Sequence, residues 1–358
     1  MIKKRLKPIL LILTFLLSAA GHFAGWNTTV QFLLSAIAVI FVAGFLGRAT
    51  ESVAHYAGQR LGGFLNATFG NAAELIIAIL LIREGLYDMV KASITGSIIG
   101  NLLLVLGLSL FMGGLKFKIQ RYNATLASLN GSLMTLSIIA LFIPAVFLNT
   151  HSITTEGIKM LSLIVAGILI VAYLAWLVFS MITHKEYLAD VSDSNDEDAL
   201  AHEHEPAWSK KRSIVYLVIA TVMVAFVSEW LVGVLEPISH QYGLSELFVG
   251  AFLVAIIGNA AEHSAAIMLA MKNKIGAAVE IAVGSSLQIA LFVAPVLVFI
   301  SFFLGNTMDI VFTTLELLAI GVAVFIARSI TQDGDSNWYE GLLLLAVYII
   351  LGVSFFLV

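Results

Sequence analysis

The sequence Gly70–Glu74, Gly-Asn-Ala-Ala-Glu, occurs again without change at Gly258–Glu262. The copies lie 188 residues apart in a chain of 358 residues, so each half carries one. Each copy lies in a stretch apolar enough to enter a lipid bilayer. A charged side chain at membrane depth costs about 2.5–3.5 kcal/mol on insertion scales and usually marks a functional site. Two matched copies therefore predict an internally duplicated transporter with a paired acidic site.

The composition indicates a polytopic membrane protein. Hydrophobic residues make up 60% of the chain and charged residues 12%, and the mean hydropathy is +0.99. These values lie outside the range of soluble globular proteins. The chain has no cysteine, which excludes a disulfide framework and a thiolate nucleophile. No nucleophile–base set or His-Glu-x-x-His motif indicates an enzyme, so we expect a secondary transporter without a cofactor and without nucleic-acid partners.

Hydrophobic stretches predict an all-α fold with about eleven transmembrane helices. Most of them reach the roughly 20 residues that a helix needs to cross the hydrocarbon core. The predicted spans are at about 8–25, 28–57, 63–82, 88–113, 123–148, 158–182, 213–236, 245–270, 277–304, 308–328 and 338–358.

The distribution of basic residues predicts the orientation of these spans. If the amino terminus is cytoplasmic, all of the 19 Lys and Arg residues fall in inner segments except Arg83, Lys91 and Lys159. An excess of Lys and Arg on the cytoplasmic side is the rule for membrane proteins. We expect a multi-pass protein of a prokaryotic plasma membrane, with the amino terminus inside.

The first span has two interpretations. A basic amino terminus, the apolar run Ile9–Leu17 and the small residues Ser18–Ala20 are typical of a cleaved signal peptide. The other interpretation, which we favour, is a retained first membrane helix.

The duplication extends beyond the pentapeptide, because Gly96-Ser97 and Gly284-Ser285 are also 188 residues apart. We predict an extra helix at 1–27, a first five-helix repeat at 28–183, a cytoplasmic acidic linker at 184–211 and a second repeat at 212–358. Five is odd, so the second repeat enters the membrane in the opposite sense. Inverted repeats place substrate sites near the membrane midplane, on interrupted helices.

The paired carboxylates predict a site for a hard cation. A glycine before each Asn suits either a helix break, which frees backbone carbonyls, or very close helix packing. Carboxylate, amide and carbonyl oxygens are the ligands that Ca²⁺ prefers. The alternative is a protonated Glu that bonds between helices. The predicted ligands are Glu74, Glu262, Asn71, Asn259, Gly70, Gly258, Ser97, Ser285, Asn101 and Gln288.

Charge balance predicts how such a site would work. The site is neutral in two states: with both Glu side chains ionised around one Ca²⁺, or with both protonated and no ion. A bare dication or two bare carboxylates would be costly in a low-dielectric environment. Ca²⁺ and protons would therefore compete for the same oxygens, and the minimal cycle exchanges one Ca²⁺ for two H⁺.

The sequence indicates a function less strongly for the other ionisable residues in or near the spans than for the paired Glu residues. Glu51 and Glu229 are predicted to relay protons or form a gate, or else to lie at the membrane interface. His263 is predicted to tune the proton affinity of the pair, or else to pack between helices. Glu280 and Glu316 have no acidic counterpart in the other half and are secondary candidates.

The acidic segment 186–205 also has two interpretations. Its composition is typical of a solvated linker. The functional alternative is weak Ca²⁺ binding or regulation on the cytoplasmic side.

The two Gly-Asn-Ala-Ala-Glu copies, with Gly96-Ser97, Gly284-Ser285 and Gln288, resemble the cation/proton exchanger (CAX) family of the Ca²⁺/cation antiporter superfamily. The resemblance covers both halves and the acidic linker. It implies Ca²⁺/H⁺ antiport, with Glu74 and Glu262 as central cation ligands and the helices of Glu51 and Glu229 as mobile gates.

The substrate alternatives are a Na⁺-coupled exchanger and a broad divalent-cation exchanger that accepts Mn²⁺. Exchangers coupled to Na⁺ carry Ser- and Pro-containing versions of the repeat, whereas Ala stands here, which favours protons. The oligomeric state is open, a homo-oligomer included.

Overall fold

The computed structural model describes residues 2–151, 153–184, 188, 207–305 and 307–358. Long helices account for most of these residues. Their bounds are α1 Ile2–Phe23, α2 Thr28–Phe69, α3 Ala72–Arg83, α4 Tyr87–Phe117, α5 Ala124–Asn149, α6 Thr155–Val178, α7 Lys210–Tyr242, α8 Glu246–Ala270, α9 Ile275–Phe303, α10 Thr314–Thr331 and α11 Trp338–Phe356. The predicted acidic linker falls mostly outside the described residues.

Helix length and composition identify a polytopic membrane protein. Within the described ranges, nine helices are long and apolar enough to cross a membrane, while the apolar part of α1, Pro8–Phe23, is shorter and α3 has 12 residues. The prediction of an all-α polytopic fold is confirmed. The count of eleven spans and their arrangement as two inverted repeats stay predictions.

Local sequence explains where several helices begin. Asn123 accepts a hydrogen bond from the backbone N–H of Leu126 at the start of α5. Thr313 with Glu316 before α10, and Asn337 with Glu340 before α11, form reciprocal capping boxes. Such caps satisfy backbone N–H groups that a helix leaves unpaired at its amino end.

The span predicted at 63–82 is not one helix. α2 continues to Phe69 through a sharp bend at Gly58, whose φ of 80° and ψ of 170° suit glycine alone. The chain then turns at Gly70 and Asn71, and α3 begins at Ala72. The span predicted at 308–328 also begins later, because residues 307–313 are not helical and the Thr313 cap starts α10.

Two short strands, which the sequence analysis did not predict, pair between helix ends. β1, Ile119–Arg121, is antiparallel to β2, Asp335–Asn337, with Gln120 opposite Ser336. The Arg121 guanidinium lies 3.2 Å from the Asp335 carboxylate. The buried Gln120 amide donates to the carbonyl of Ala270, 3.0 Å away. The ribbon therefore ties the end of α4 to the ends of α8 and α10.

Packing divides the chain into two compact units that do not coincide with the sequence halves. The first unit contains the described residues within 2–93 and 207–262. The second unit contains the described residues within 94–203 and 263–357. The predicted repeat boundaries concern duplicated sequence rather than packing, and they stay a prediction.

The first unit is built on α2 and α7, which pack along their length, with α1 against both. Buried hydroxyl pairs join these helices: Ser52 to Ser213 at 2.8 Å, and Ser18 of α1 to Ser35 of α2 at 3.0 Å.

The second unit is built on pairs of closely packed helices. α4 packs on α11, α5 on α10, and α6 on α9. Glycines allow the closest approach: the backbone of Gly341 in α11 lies against Gly107 and Phe111 of α4. Backbones can approach this closely only where one residue has no side chain.

Candidate cation site

The first Gly-Asn-Ala-Ala-Glu copy forms a turn followed by a helix start. The chain turns at Gly70 and Asn71, and the Asn71 carbonyl accepts the N–H of Leu75 at 3.0 Å. Asn71 itself is buried. This geometry places Glu74 in the first turn of α3. The partial positive charge of a helix amino terminus stabilises a carboxylate there.

The second copy takes a different backbone although its five residues are the same. α8 runs without a break through Gly258–Glu262. The buried Asn259 side chain donates to the carbonyl of Ala255, one turn earlier, at 2.9 Å. Glu262 therefore projects from the middle of a helix rather than from its start.

The structure brings these two copies together. A methyl group built on Gly258 would lie 3.3 Å from Cγ of Glu74, so the missing side chain makes room for Glu74. The Glu74 and Glu262 carboxylates are near enough to repel each other electrostatically. The sequence analysis predicted either a helix break or close helix packing at these glycines. The first copy shows the break, since the chain turns at Gly70, and the second shows the close packing, at Gly258.

Among the described residues, no basic side chain compensates the charge of the buried Glu74 carboxylate. Its Oε2 atom is buried and accepts no hydrogen bond from any described residue. A buried carboxylate next to a second one is stabilised by protons or by a cation, because a buried charge needs compensation.

Four further predicted ligands lie in the second unit. Ser97, Asn101 and Ser285 are buried, and Gln288 is half-buried. The segment Gly100–Val105 of α4 contacts both Glu280–Gly284 and Ser285–Gln288 of α9. The helix that carries Gly96-Ser97 therefore packs, just after that sequence, against the Gly284-Ser285 region of α9.

His263 and Asn101 form a side-chain pair within the second unit. Nε2 of His263 lies 3.0 Å from Oδ1 of Asn101, which can only accept. The other Asn101 amide atom, Nδ2, is buried and donates to no described residue. One predicted ligand is thus held by the residue predicted to tune the site.

π-helical turns occur next to these residues. They are Gly100–Val105 in α4, Val249–Val254 in α8, and Glu280–Gly284 and Ile289–Val293 in α9. A π turn inserts one residue into a helix and often occurs at functional sites. The turn in α4 follows Gly96-Ser97 within one helical turn, and the turns in α9 lie on either side of Ser285–Gln288.

Glu51 and Glu229 are not brought to the carboxylate pair. Both side chains are exposed, on α2 and α7 respectively, and Glu51 interacts electrostatically with Arg48. No hydrogen bond or ion pair joins either residue to Glu74 or Glu262 in the described part of the chain. Their predicted relay or gating role stays a prediction.

Comparison with known proteins identifies the family. A family model described as "Sodium/calcium exchanger protein" matches residues 27–182 and 212–357. The chain belongs to the sodium/calcium exchanger family. The matched ranges leave out the first 26 residues and the acidic segment between the two copies of the repeat.

Named exchanger relatives cover nearly the whole chain. The Ca(2+)/H(+) antiporter ChaA of Bacillus subtilis is 48% identical over 95% of this chain and 96% of its own length. The Ca(2+)/H(+) antiporter of Aphanothece halophytica is 45% identical over 97% and 95%. The native YfkE structure is 44% identical, with a TM-score of 0.84 over 98% of this chain and 100% of YfkE. The predicted resemblance to cation/proton exchangers is confirmed.

Glu316 takes a structural role in this exchanger. It is buried, and its Oε2 atom accepts the backbone N–H and the hydroxyl of Thr313, each at 2.8 Å. These bonds form the cap of α10. The sequence Thr-x-x-Glu before an apolar run was the signal that could have identified it.

One polar residue of the exchanger was missed altogether. Asn130 lies in α5, is 6% exposed, and has an Oδ1 atom that accepts no hydrogen bond from a described residue. The sequence feature that could have identified Asn130 is its position as a single amide side chain about two turns into an apolar span. Among the described residues, no cluster of three or more His, Cys, Asp and Glu side chains could hold a metal ion.

Proposed function

We propose that this chain is a secondary active Ca²⁺/H⁺ antiporter that exports Ca²⁺ from the cytoplasm in exchange for protons by alternating access. The single observation that carries the proposal is the pairing of Glu74 with Glu262, with Gly258 packed against Glu74. Membership of the exchanger family and the names of the relatives support the same conclusion.

The chemistry of the site follows from charge neutralisation. Ca²⁺ takes six to eight oxygen ligands. The carboxylates of Glu74 and Glu262 supply its neutralising charge, and the Asn71 and Asn259 amides with nearby backbone carbonyls supply neutral oxygens. When Ca²⁺ leaves, two protons cancel the same charges. The loaded and the protonated forms are both neutral, so both can reorient across a low-dielectric barrier.

Reorientation in this proposal belongs to α2 and α7. These helices pack along their length and carry Glu51 and Glu229 on exposed positions. Exposed carboxylates at a gate would attract Ca²⁺ and exchange protons with water. His263 holds Asn101 and acts through it on the shape of the ligand set.

The setting of the transporter is the plasma membrane, with the amino terminus in the cytoplasm. Its substrates are Ca²⁺ and protons, its surroundings are lipid, and it requires no resident cofactor. A single polypeptide holds both acidic copies, and the oligomeric state, a homo-oligomer included, stays open.

Uptake into proteoliposomes tests this function. We expect Ca²⁺ uptake under an imposed pH gradient and none under a Na⁺ gradient alone. Glu74→Gln and Glu262→Gln, each of which leaves one carboxylate against a dication, should reduce uptake to background. The matched control Glu246→Gln, at the start of α8, should retain uptake. Uptake driven by Na⁺ alone would establish the Na⁺-coupled alternative instead.

Competition between the ions gives a second readout. Because protons and Ca²⁺ occupy the same oxygens, lowering the pH should raise the Ca²⁺ concentration needed for half-maximal uptake. Adding Mn²⁺ to the same assay tests the broad divalent alternative, since Mn²⁺ accepts similar oxygen ligands. A Ca²⁺ requirement that does not change with pH would contradict direct competition.

A further inference from the structure

Three lysines lie at the place where two helices of membrane length end. Lys116 is in the last turn of α4, Lys118 follows that helix directly, and Lys272 lies just beyond the end of α8. All three are exposed, and all three belong to the second compact unit. Basic side chains at the ends of transmembrane helices lie at the level of the lipid headgroups.

Hydrogen bonds hold two of these lysines side by side. Nζ of Lys116 donates to the carbonyl of Met271 at 2.8 Å, which places the ammonium group against the peptide bond that joins Met271 to Lys272. The buried Gln120 amide donates to the carbonyl of Ala270 at 3.0 Å and so ties the same segment to the chain that follows α4. The lysines are therefore presented by one fixed surface rather than by separate loops.

The backbone of Lys118 adopts a conformation that lysine rarely takes. Its φ of 67° lies in the left-handed region, where glycine is the usual residue after a helix. A residue with a Cβ is strained in that region, and such strain occurs often at functional positions. An exposed lysine at this position indicates a use for its charge.

Described acids do not neutralise the three lysines. In the described part of the chain, no ion pair joins Lys116, Lys118 or Lys272 to a carboxylate. An ammonium group has three N–H donors, and the Met271 carbonyl takes one of those of Lys116. The three side chains therefore offer several donors and positive charge to an anion.

The acids of the neighbouring β1–β2 ribbon make other contacts. The Asp335 carboxylate pairs with Arg121 at 3.2 Å. Glu340 accepts a backbone N–H at 3.0 Å in the cap of α11, and Asp333 accepts the N–H of Asp335 at 3.2 Å. Glu280, in α9, also has an interaction partner. The lysines are thus the charges left for a ligand.

Exposed apolar side chains lie next to the lysines. They are Met112, Leu115 and Ile119 around the end of α4, and Met268 and Met271 around the end of α8. Both helices are long and apolar enough to cross a membrane, so their exposed apolar side chains contact lipid chains. A ligand that matches both features has an anionic head and apolar chains.

We propose that Lys116, Lys118 and Lys272 form a binding site for the phosphate of an anionic phospholipid, whose acyl chains cover the exposed Leu115 and Ile119. Lys and Arg clusters at the cytoplasmic ends of transmembrane helices bind anionic headgroups, and the predicted orientation places these helix ends there. Lysine binds phosphate as a point charge. The binding site depends neither on the transported ions nor on the proposed function.

Melting of the purified full chain in detergent tests the site. A ligand that binds the folded protein alone raises its melting temperature. The two lipids compared are dioleoylphosphatidylglycerol, which is anionic, and dioleoylphosphatidylcholine, which has no net charge. We expect the anionic lipid to raise the melting temperature more. Equal effects of the two lipids would overturn the proposal.

The double variant Lys118→Gln with Lys272→Gln should remove at least about half of the difference between the two lipids. Lys118→Arg with Lys272→Arg keeps the charges and should keep the difference. Because each variant is compared with itself in the two lipids, a change in its basal stability does not affect the result. Adding Lys116→Gln to the double variant should reduce the difference further.

The matched control is Lys210→Gln with Lys211→Gln at the start of α7. It removes the same charge from exposed positions at another helix end that is predicted to be cytoplasmic. This control should keep the difference between the lipids. An equal loss in both double variants would show a general attraction to anionic lipid and would overturn the specific site.

Native mass spectrometry counts the bound lipids directly. The parent chain should retain at least one phosphatidylglycerol more than the variant with Lys118→Gln and Lys272→Gln, and equal counts would overturn the proposal. Sodium phosphate at the concentration of the lipid should leave the melting temperature unchanged. A rise equal to that with phosphatidylglycerol would assign the site to free phosphate and overturn the lipid assignment.

Discussion

At the scale of single residues, the contact between Gly258 and Glu74 is the most informative feature of the molecule. The absent side chain of Gly258 makes the space that Cγ of Glu74 occupies. A duplicated Gly-Asn-Ala-Ala-Glu thus provides two acids and also the room for one of them beside the other copy.

Gly258→Ala is expected to impair transport more than folding. The added methyl lies 3.3 Å from Cγ of Glu74, which must move away from Glu262. Overpacking of this kind costs about 1–3 kcal/mol, and if that cost falls on the Ca²⁺-bound form it lowers Ca²⁺ affinity about 5- to 150-fold. The measurement is the Ca²⁺ dependence of uptake into proteoliposomes.

The matched control for this change is Gly321→Ala in α10, where a methyl group would meet no atom within 4 Å. That variant should transport like the parent chain. Equal behaviour of the two variants would show that Gly258 is not needed to position Glu74.

At the scale of elements, breaks and close contacts between helices decide the geometry. Gly58 bends α2, and the Gly70–Asn71 turn starts α3 in the right place for Glu74. Gly107 and Gly341 let α4 and α11 approach, while π turns in α4 and α9 lie close to the Gly-Ser sequences.

Gly58→Ala is expected to destabilise the protein or straighten α2. The φ of 80° and ψ of 170° at Gly58 cost a residue with a Cβ about 1–3 kcal/mol. Gly47→Ala, in the same helix and with open space around it, should be neutral or slightly stabilising. Thermal melting in detergent, followed by uptake measurements, compares the two. An unchanged melting temperature for Gly58→Ala would contradict a strained bend.

Gly341→Ala should lower the melting temperature, because its methyl group would collide with the backbone of Gly107 and Phe111. The helix preference of Ala, about 0.5–1 kcal/mol over Gly, works in the opposite direction and is too small to compensate. Gly167→Ala in α6, where nothing lies within 4 Å, isolates that preference and should raise the melting temperature slightly. Destabilisation by both variants would argue against a specific α4–α11 contact.

At the scale of the whole molecule, the basic residues predict which ends of the helices face the cytoplasm. The absence of cysteine makes this prediction directly testable, because any single cysteine introduced becomes the one reactive thiol. Lys159→Cys lies on the predicted outer side and Lys272→Cys on the predicted inner side, and both positions are exposed.

We expect a membrane-impermeant maleimide to label Lys159→Cys in intact cells and to label Lys272→Cys only after the membrane is opened. The reverse pattern would invert the predicted topology. Labelling of both positions in intact cells would mean that the span count between them is wrong.

The sequence predicted the membrane class and the acidic pair because both are linear features. Hydrophobic stretches of membrane length and an exact internal repeat can be read without coordinates. The sequence did not predict the β1–β2 ribbon, because a three-residue strand is too short to stand out from a loop. The capping role of Glu316 was available in the Thr313-x-x-Glu316 pattern, but the sequence analysis did not use it. It also missed Asn130, because the lack of a described partner for its buried Oδ1 atom is visible only once its neighbours are placed.

The sequence by itself determined that this chain is an all-helical membrane protein with one acidic Gly-Asn-Ala-Ala-Glu in each half. Only the tertiary structure decided that the chain turns at Gly70 in one copy and continues as a helix through Gly258 in the other. Five identical residues have identical local preferences, so the difference must come from what packs around them. The same packing places Gly258 against Glu74.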